Sequence, residues 1–166
     1  MTNTSLIYIE KNSSYLMLHR TKKQNDYNHD KWIGIGGKFE ETESPEECII
    51  REVKEETGFS LAREGLQYRG IVTFVCNDNS QPGGWYTEFM HLFWADSKFC
   101  SGNLITCNEG DLEWVPKNKM NDLPHWKGDE IFLKLIDDNV TFFSLKLVYK
   151  DGELLSACLN GKKIDA

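Results

Sequence analysis

The chain of 166 residues carries a formal net charge of −7, and 40% of its residues are apolar. This length and apolar content suit one domain with a buried core and exclude a largely disordered chain. The negative charge argues against a nucleic-acid polymer as partner. No apolar run could span a membrane, and the opening residues lack the pattern of a secretory signal. We expect a single domain over residues 1–166.

The cysteines are odd in number, scattered along the chain and without a CxxC pair. We interpret them as free thiols in a reducing compartment, which predicts a cytoplasmic protein. They are Cys48, Cys76, Cys100, Cys107 and Cys158.

The first half of the chain contains clear strand, turn and helix signals. Apolar and polar residues alternate in SLIYIEK and SYLMLHR, and the turn residues Asn12 and Ser13 between them predict a hairpin. The polar segment 24–30 predicts a loop, and KWIGIGGKFE predicts a strand whose glycines let another group approach the backbone. Residues 44–58 predict a helix.

The second half predicts strands over 66–76 and 86–95, a short strand over 112–116 and a helix from 126 to about 138. A closing hairpin turns at Asp151 and Gly152. Strands and helices are interleaved, and several strand pairs must be antiparallel. We therefore expect a mixed α/β fold in which helices cover a central sheet.

The first predicted helix has strong end signals. Ser44 is a natural N-cap, Pro45 fits the first helical position, and Glu47 completes an S-x-x-E capping box. Gly58 fits the C-terminal stop. Because acidic residues are favourable at a helix N-terminus, Glu46 and Glu47 need no functional explanation.

Three further acidic residues of this helix share one face. Glu52, Glu55 and Glu56 follow the spacing i, i+3, i+4, close to the end where the helix dipole disfavours negative charge. Like charges roughly 5 Å apart repel by about 3 kcal/mol at an effective dielectric constant near 20. Arg51 can pair with Glu55, but one guanidinium does not balance the whole face.

Two interpretations of this face remain open from the helix alone: a fully solvated charge run, or a site for a hard cation such as Mg²⁺ or Mn²⁺. The glycine pair before the helix favours the second. Gly36 and Gly37 let the backbone pass close to the acidic face, where it can offer a carbonyl to a metal or an amide to a phosphate.

The segment 37–59 resembles the signature of the Nudix hydrolases, GX5EX7REUXEEXGU, in which U is a bulky apolar residue. The apolar positions hold Val53 and Phe59, the latter an aromatic departure. All fixed positions of the signature are filled, by Gly37, Glu43, Arg51, Glu52, Glu55, Glu56 and Gly58.

The resemblance implies a Nudix fold, an α/β/α sandwich around a mixed sheet, and hydrolysis of a nucleoside diphosphate linked to a further group. It implies a Mg²⁺ or Mn²⁺ site formed by Glu52, Glu55 and Glu56 with the Gly36 carbonyl nearby. Arg51 would hold these carboxylates in place, and Glu43 would organise the helix. A carboxylate must also accept a proton from the attacking water. Glu56 is one candidate, and Glu109, on a loop before a strand, is another.

Residues 5–138 also resemble the MutT-type triphosphatases that act on oxidised purine nucleotides, through YLMLHRTKK, KWIGIGGKFE, NEGDLEWVP and HWKGDEIFL. The resemblance implies a base pocket in which Trp126 stacks on the purine and Asp129 bonds its edge. Tyr27 and Phe74 are further candidates for lining this pocket.

One residue of the predicted base site departs from the MutT-type pattern, and the phosphate contacts are predicted separately. Ile33 stands where mammalian relatives carry a base-contacting Asn, which puts a preference for 8-oxo-dGTP in doubt. Lys23, Lys38 and the backbone of Gly37 are candidates for phosphate contacts.

Other functions compete with a purine nucleoside triphosphatase. ADP-ribose, dinucleoside polyphosphates or NADH are rival substrates of a Nudix enzyme, and a non-catalytic nucleotide sensor is a rival of a different class. The complete set of box carboxylates favours an enzyme over a sensor. The sequence makes no prediction of oligomeric state.

Overall fold

The computed structural model describes residues 1–23 and 26–165, and most of its strands join one large mixed sheet. The strand order is β12-β11-β10-β6-β7-β1-β2-β3, with β4 added to β1 and β9 added to β2. Strands β1 and β7 are parallel, as are β6 and β10. A second, small sheet pairs β5 with β8. The strands are β1 (Thr2–Lys11), β2 (Ser14–His19), β3 (Trp32–Ile33), β4 (Ile35–Lys38), β5 (Ser60–Leu61), β6 (Gln67–Asn77), β7 (Trp85–Asp96), β8 (Cys100–Ser101), β9 (Asp111–Pro116), β10 (Phe143–Lys150), β11 (Glu153–Leu159) and β12 (Lys162–Ile164).

Two α-helices, α1 (Pro45–Thr57) and α2 (Asp129–Asp137), pack against opposite faces of the large sheet. Strand β1 shows why, because its side chains alternate between the two faces. Ile7 and Ile9 join the core beneath α1, whereas Tyr8 joins the core beneath α2. The layers are therefore helix, sheet and helix, and the predicted α/β/α sandwich is confirmed. Short 3₁₀ helices cover Arg63–Gly65, Ser97–Phe99 and Lys117–Asp122.

The ends of α1 follow the sequence signals. The Ser44 side chain accepts a hydrogen bond from the Glu47 backbone, and the Glu47 side chain accepts one from the Ser44 backbone. Gly58 ends the helix in the left-handed conformation, with φ of 81°. Both ends of α1 are thus determined by local contacts.

The predicted hairpins are also confirmed. Asn12 and Ser13 both have positive φ between β1 and β2, and Asp151 and Gly152 have positive φ between β10 and β11. Residues 27–30 form turns and residue 26 has no regular structure, as predicted for the loop, while residues 24 and 25 lie outside the described residues. Within the described chain, no helix is both long and apolar enough to cross a membrane.

Three elements differ from the sequence prediction. The single strand predicted over KWIGIGGKFE is divided at Gly34 into β3, which pairs with β2, and β4, which pairs with β1. Helix α2 starts at Asp129 rather than at residue 126, because the backbone turns at 127–128 and Gly128 forms the N-cap. Trp126 therefore lies in the segment before the helix. A third C-terminal strand, β12, follows a further turn at Asn160 and Gly161, whose φ values are both positive.

Candidate active site

Arg51 is the centre of the contacts on the acidic face of α1. Its Nε and one terminal nitrogen donate to the two carboxylate oxygens of Glu43, at 2.6 and 2.9 Å. The same side chain donates to the Lys38 carbonyl at 3.1 Å, to Glu52 at 2.8 Å and to Glu55 at 3.2 Å. Because the guanidinium is planar and carries several donors, one residue ties α1 to the chain segment that follows β4.

The partner Glu43 is strongly ionised as a result. The hydrogen bonds from Arg51 lower the pKa of Glu43 to about 2, with burial opposing the shift. The Glu43 side chain is only 14% exposed, so this ion pair is partly shielded from water. The predicted role of Glu43 as a residue that organises the helix is consistent with this geometry.

Glu52 lies directly against the glycine pair. A Cβ atom on Gly37 would come within 2.3 Å of a Glu52 carboxylate oxygen, so only glycine leaves room for this side chain. Burial raises the pKa of Glu52, and the charges of Glu55 and Glu109 add to the shift against the effect of Arg51. Gly37 thus accommodates Glu52 here, and its predicted backbone contact to phosphate stays a prediction.

Glu56 is the most deeply buried carboxyl of the acidic face, with 7% of its surface exposed. The Gly36 backbone N–H donates to one of its oxygens at 3.1 Å. Burial raises the pKa of Glu56 to about 8, and the nearby charges of Glu52 and Glu109 contribute. The predicted role concerned the Gly36 carbonyl, and that role also stays a prediction.

Glu109 comes from a distant part of the chain and faces the same region. It accepts hydrogen bonds from Arg20 and Lys23, and Arg20 also donates to Asp26 at 2.6 Å. Although burial opposes the shift, the bond from Lys23 and the charge of Arg20 lower the pKa of Glu109. Its negative charge contributes to the raised pKa of both Glu52 and Glu56.

The acidic face fits a divalent cation by its chemistry, although its side chains are not arranged around one. Among residues 1–23 and 26–165, no three acidic, His or Cys side chains converge closely enough to hold a metal ion. Instead Arg51 holds Glu52 and Glu55, and the Gly36 amide holds Glu56. Buried carboxylates that repel one another are suitable oxygen ligands for Mg²⁺ or Mn²⁺. Such a cation requires these side chains to turn toward a common point.

Aromatic side chains cluster on the other face of the sheet, beside α2, and the surface formed by Tyr27, Phe74, Trp126 and Tyr149 is called the aromatic groove below. Trp126 stacks on Tyr27, with ring centroids 4.9 Å apart and planes 17° apart. Phe74 packs edge-on against both, at 5.6 and 6.1 Å, and Tyr149 of β10 packs against Phe74 and Trp126. The Lys31 ammonium lies 4.4 Å from the Trp126 ring. The structure thus brings together the predicted pocket residues, but Tyr27 itself occupies a stacking face of Trp126.

Asp129 is the first residue of α2, lies three residues after Trp126 in the chain, and is 9% exposed. Its backbone N–H donates to the Trp126 carbonyl at 2.9 Å, so the two residues are held close together. Burial raises the pKa of Asp129 to about 7, and the charges of His125 and Lys31 oppose the shift.

The remaining predicted residues have simpler surroundings. Ile33 packs against the core beneath α1 and offers no polar group to a ligand. The side chain of Lys38 is exposed, and Lys23 is engaged by Glu109.

Several residues of the site were not singled out from the sequence. Asn28 accepts a hydrogen bond from the Trp126 indole at 2.7 Å, and the Tyr149 hydroxyl accepts one from the Gly128 backbone at 2.7 Å. Arg20 links Glu109 to Asp26. A polar loop, a strand-end Arg and a strand Tyr are common in any sequence, and only the fold shows what they contact.

Comparison with known proteins identifies the family. The family model described as NUDIX domain matches residues 2–136, so the chain belongs to the Nudix family. The chain is 35% identical over 98 residues to the uncharacterized Nudix hydrolase YvcI of Bacillus subtilis, and the match spans 59% of each protein. Hence the chain spans about three-fifths of the length of that relative.

Solved structures share the fold. A mutator MutT protein from Bacillus halodurans superposes with a TM-score of 0.80 and 26% identity, over 98% of this chain and 99% of that one. The NUDIX domain of Shewanella oneidensis NrtR, solved in complex with ADP ribose, gives a TM-score of 0.59 at 17% identity, over 85% and 89% of the two chains. At this level of identity, the similarity to the NrtR domain concerns the fold alone.

The ion pair between Glu43 and Arg51 yields a prediction for stability. In the Glu43→Gln variant, we expect the free energy of unfolding at pH 7 to fall by about 1–3 kcal/mol, since a charge-assisted fork is lost. The pKa of Glu43 in the folded state, about 2, lies below its usual value of 4.5. The difference between wild type and variant should therefore be complete above about pH 4.5 and disappear as the pH falls toward 2.

Urea unfolding followed by circular dichroism at several pH values measures this difference. Glu41→Gln, a change at an exposed neighbouring position, is the matched control and should show no such pH dependence. An equal loss of stability at pH 3 and pH 7 in Glu43→Gln would contradict the prediction.

Proposed function

We propose that this protein is a Mg²⁺-dependent pyrophosphohydrolase, with Mn²⁺ as an alternative cation. It cleaves purine nucleoside triphosphates, including oxidised forms such as 8-oxo-dGTP, to the nucleoside monophosphate and pyrophosphate. Such an activity would remove damaged nucleotides before they enter DNA. The five cysteines are free thiols, which fits the cytoplasmic location that this function requires.

One observation carries the proposal: a chain of hydrogen bonds runs from Glu109, whose charge raises the pKa of Glu52 and Glu56, to Trp126 in the aromatic groove. Arg20 binds Glu109 beside the acidic face and also binds Asp26. The Asp26 carboxylate accepts from the backbone of Asn28, whose own side chain binds the Trp126 indole. A nucleotide with its base at Trp126 can therefore extend its phosphates toward Arg20, Lys23 and the carboxylates of α1.

In the proposed reaction, water attacks a phosphorus atom beside the oxygen that bridges the α- and β-phosphates. The bond from that phosphorus to the bridging oxygen breaks, and the oxygen leaves with the other product. When bound, the divalent cation supplies positive charge that neutralises the polyphosphate and polarises water. Arg20 and Lys23 add fixed positive charge, and Arg51 keeps the carboxylates of α1 in position.

The proton of the attacking water needs an acceptor, and the contacts of Glu109 favour Glu56 for this role. Two cationic partners hold Glu109 as a carboxylate of low pKa, which makes it a weak base at neutral pH. We assign to Glu109 the positioning of Arg20 and Lys23. The proton is assigned to Glu56, or to a carboxylate that replaces it when the face rearranges around a cation.

The base is proposed to bind in the place that Tyr27 occupies against Trp126. The two rings are in direct contact, so no base fits between them as they stand. Tyr27 is 52% exposed and can move aside without uncovering the core. A purine then gains an indole face on one side and Phe74 at its edge.

A substrate screen at fixed Mg²⁺ tests the proposed function. We expect release of pyrophosphate from 8-oxo-dGTP, dGTP and dATP, with the highest kcat/KM for 8-oxo-dGTP. Phosphate and pyrophosphate are measured separately. The NrtR domain was solved with ADP ribose, so ADP ribose is included; turnover of ADP ribose alone would contradict the proposal. Equal kcat/KM for 8-oxo-dGTP and dGTP would remove the preference for oxidised bases.

Substitution of the acidic residues tests their roles. We expect Glu56→Gln to lower kcat by about 10²–10⁴-fold, because a general base and an oxygen ligand are both lost. Glu109→Gln should lower kcat by about tenfold or less, because Arg20 and Lys23 remain. Glu64→Gln, at an exposed position outside the site, is the control, and thermal unfolding verifies that each variant is folded. A larger loss in Glu109→Gln than in Glu56→Gln would reverse the two assignments.

Substitution of the indole tests the base site. Trp126→Ala should raise KM for purine nucleotides by about 10- to 100-fold, as expected for the loss of one base-stacking contact, with a smaller effect on kcat. Trp85 is 46% exposed and points away from the groove, opposite to its neighbour Tyr86. Trp85→Ala is therefore the matched control. An unchanged KM in Trp126→Ala would exclude stacking on this residue.

A further inference from the structure

The sheet beside the aromatic groove carries a carboxylate that none of the roles above uses. Glu88 of β7 lies directly opposite Phe74 in the antiparallel pair of β6 and β7. Opposite residues in such a pair project from the same face, with Cβ atoms about 4.5–5.5 Å apart. Glu88 therefore stands beside the ring that contacts both Tyr27 and Trp126.

Its neighbours hold Glu88 in a defined position. The Thr4 hydroxyl donates to one carboxylate oxygen at 2.6 Å, and the Tyr86 hydroxyl donates to the other at 2.9 Å. Thr4 is 8% exposed, and Glu88 and Tyr86 are partly buried. Both donors come from the sheet, so the carboxylate is fixed to rigid elements rather than to a loop.

The carboxylate still has capacity for a ligand. An ionised carboxylate offers about four lone-pair positions, two on each oxygen. The two hydroxyl groups use one on each oxygen. One acceptor position on each oxygen remains, which is the pattern that a pair of adjacent N–H donors can satisfy.

We propose that Glu88 determines base specificity in this protein, by accepting hydrogen bonds from a base that presents two adjacent N–H groups. Guanine and 8-oxoguanine present such a pair at N1 and at the exocyclic N2. Adenine presents an amino group beside the N1 lone pair, which a carboxylate repels. The inference rests on the proposed function, because it requires the base to occupy the aromatic groove.

This inference also accounts for the apolar residue at position 33. Ile33 packs into the core beneath α1 and cannot bond a base. A site without a polar group at that position relies on other polar groups to select among purines, since stacking on an aromatic ring tolerates every base. Glu88 supplies such a group from the sheet, in addition to the predicted contact from Asp129.

Binding of nucleoside monophosphates without divalent metal tests the proposal independently of catalysis. The probes are dGMP and dAMP, with binding measured by isothermal calorimetry. We expect Glu88→Gln to weaken binding of dGMP by about 10- to 100-fold, the range for loss of a bidentate base contact, and binding of dAMP by less than threefold. Glu113→Gln, at an exposed position on β9, is the control.

A second variant covers the case in which Glu88→Gln does not fold. Thr4→Val removes one hydroxyl that positions Glu88 and should weaken dGMP binding several-fold, again with little effect on dAMP. Thermal unfolding reports the folding of both variants. Equal weakening of dGMP and dAMP, no weakening of either, or no binding of either to the wild type would overturn the proposal.

The activity of the wild type separates this inference from the proposed function. If no purine triphosphate is hydrolysed while dGMP binding depends on Glu88, the proposed reaction fails and the base site stands. If triphosphates are hydrolysed but the ratio of kcat/KM for dGTP to that for dATP is unchanged in Glu88→Gln, the reaction stands and the role of Glu88 fails.

Discussion

The fork between Arg51 and Glu43 is the interaction on which the site depends. Arg51 also binds the Lys38 carbonyl, Glu52 and Glu55, so a single guanidinium fixes the position of α1 relative to the segment after β4. Without it, the acidic residues of α1 would repel one another with no guanidinium between them. The same contacts leave Glu56 facing the Gly36 amide, where burial keeps its carboxyl away from bulk water. The stability of this region and the proposed chemistry thus both depend on the Arg51 guanidinium.

Local signals in the sequence predicted most of the fold. The capping box at Ser44 and Glu47, the left-handed Gly58 and the turns at Asn12–Ser13 and Asp151–Gly152 depend on neighbours a few residues away, and the structure contains all of them. The start of α2 was wrong by three residues, because the turn before Asp129 is stabilised by a distant group, the Tyr149 hydroxyl. The parallel pairing of β6 with β10 has no local signature, since loop closure over such a distance leaves no pattern in either strand.

In the candidate site too, features that depend on local sequence were predictable, and features that depend on distant contacts were not. The carboxylates of α1 could be predicted because their spacing on one helix face is a local property. The contacts of Arg20, Asn28, Tyr149 and Glu88 could not be predicted, because each bonds a partner far away in the chain. Tyr27 was a candidate for lining the base pocket, yet its direct stacking on Trp126 follows only from the packing. Residue type alone does not indicate which aromatic surface will be covered by another.

The position of Tyr149 shows that the fold around the aromatic groove includes residues beyond the segment that matches the family. The family match stops at residue 136, but Tyr149 lies in β10, in the interior of the sheet between β6 and β11. Its ring supports Phe74 and Trp126, and its hydroxyl anchors the turn that precedes α2. A fragment trimmed to the family boundary would lose a wall of the groove and expose the flank of β6. Relatives that differ in this C-terminal extension can consequently differ in ligand choice even where their signature segments are identical.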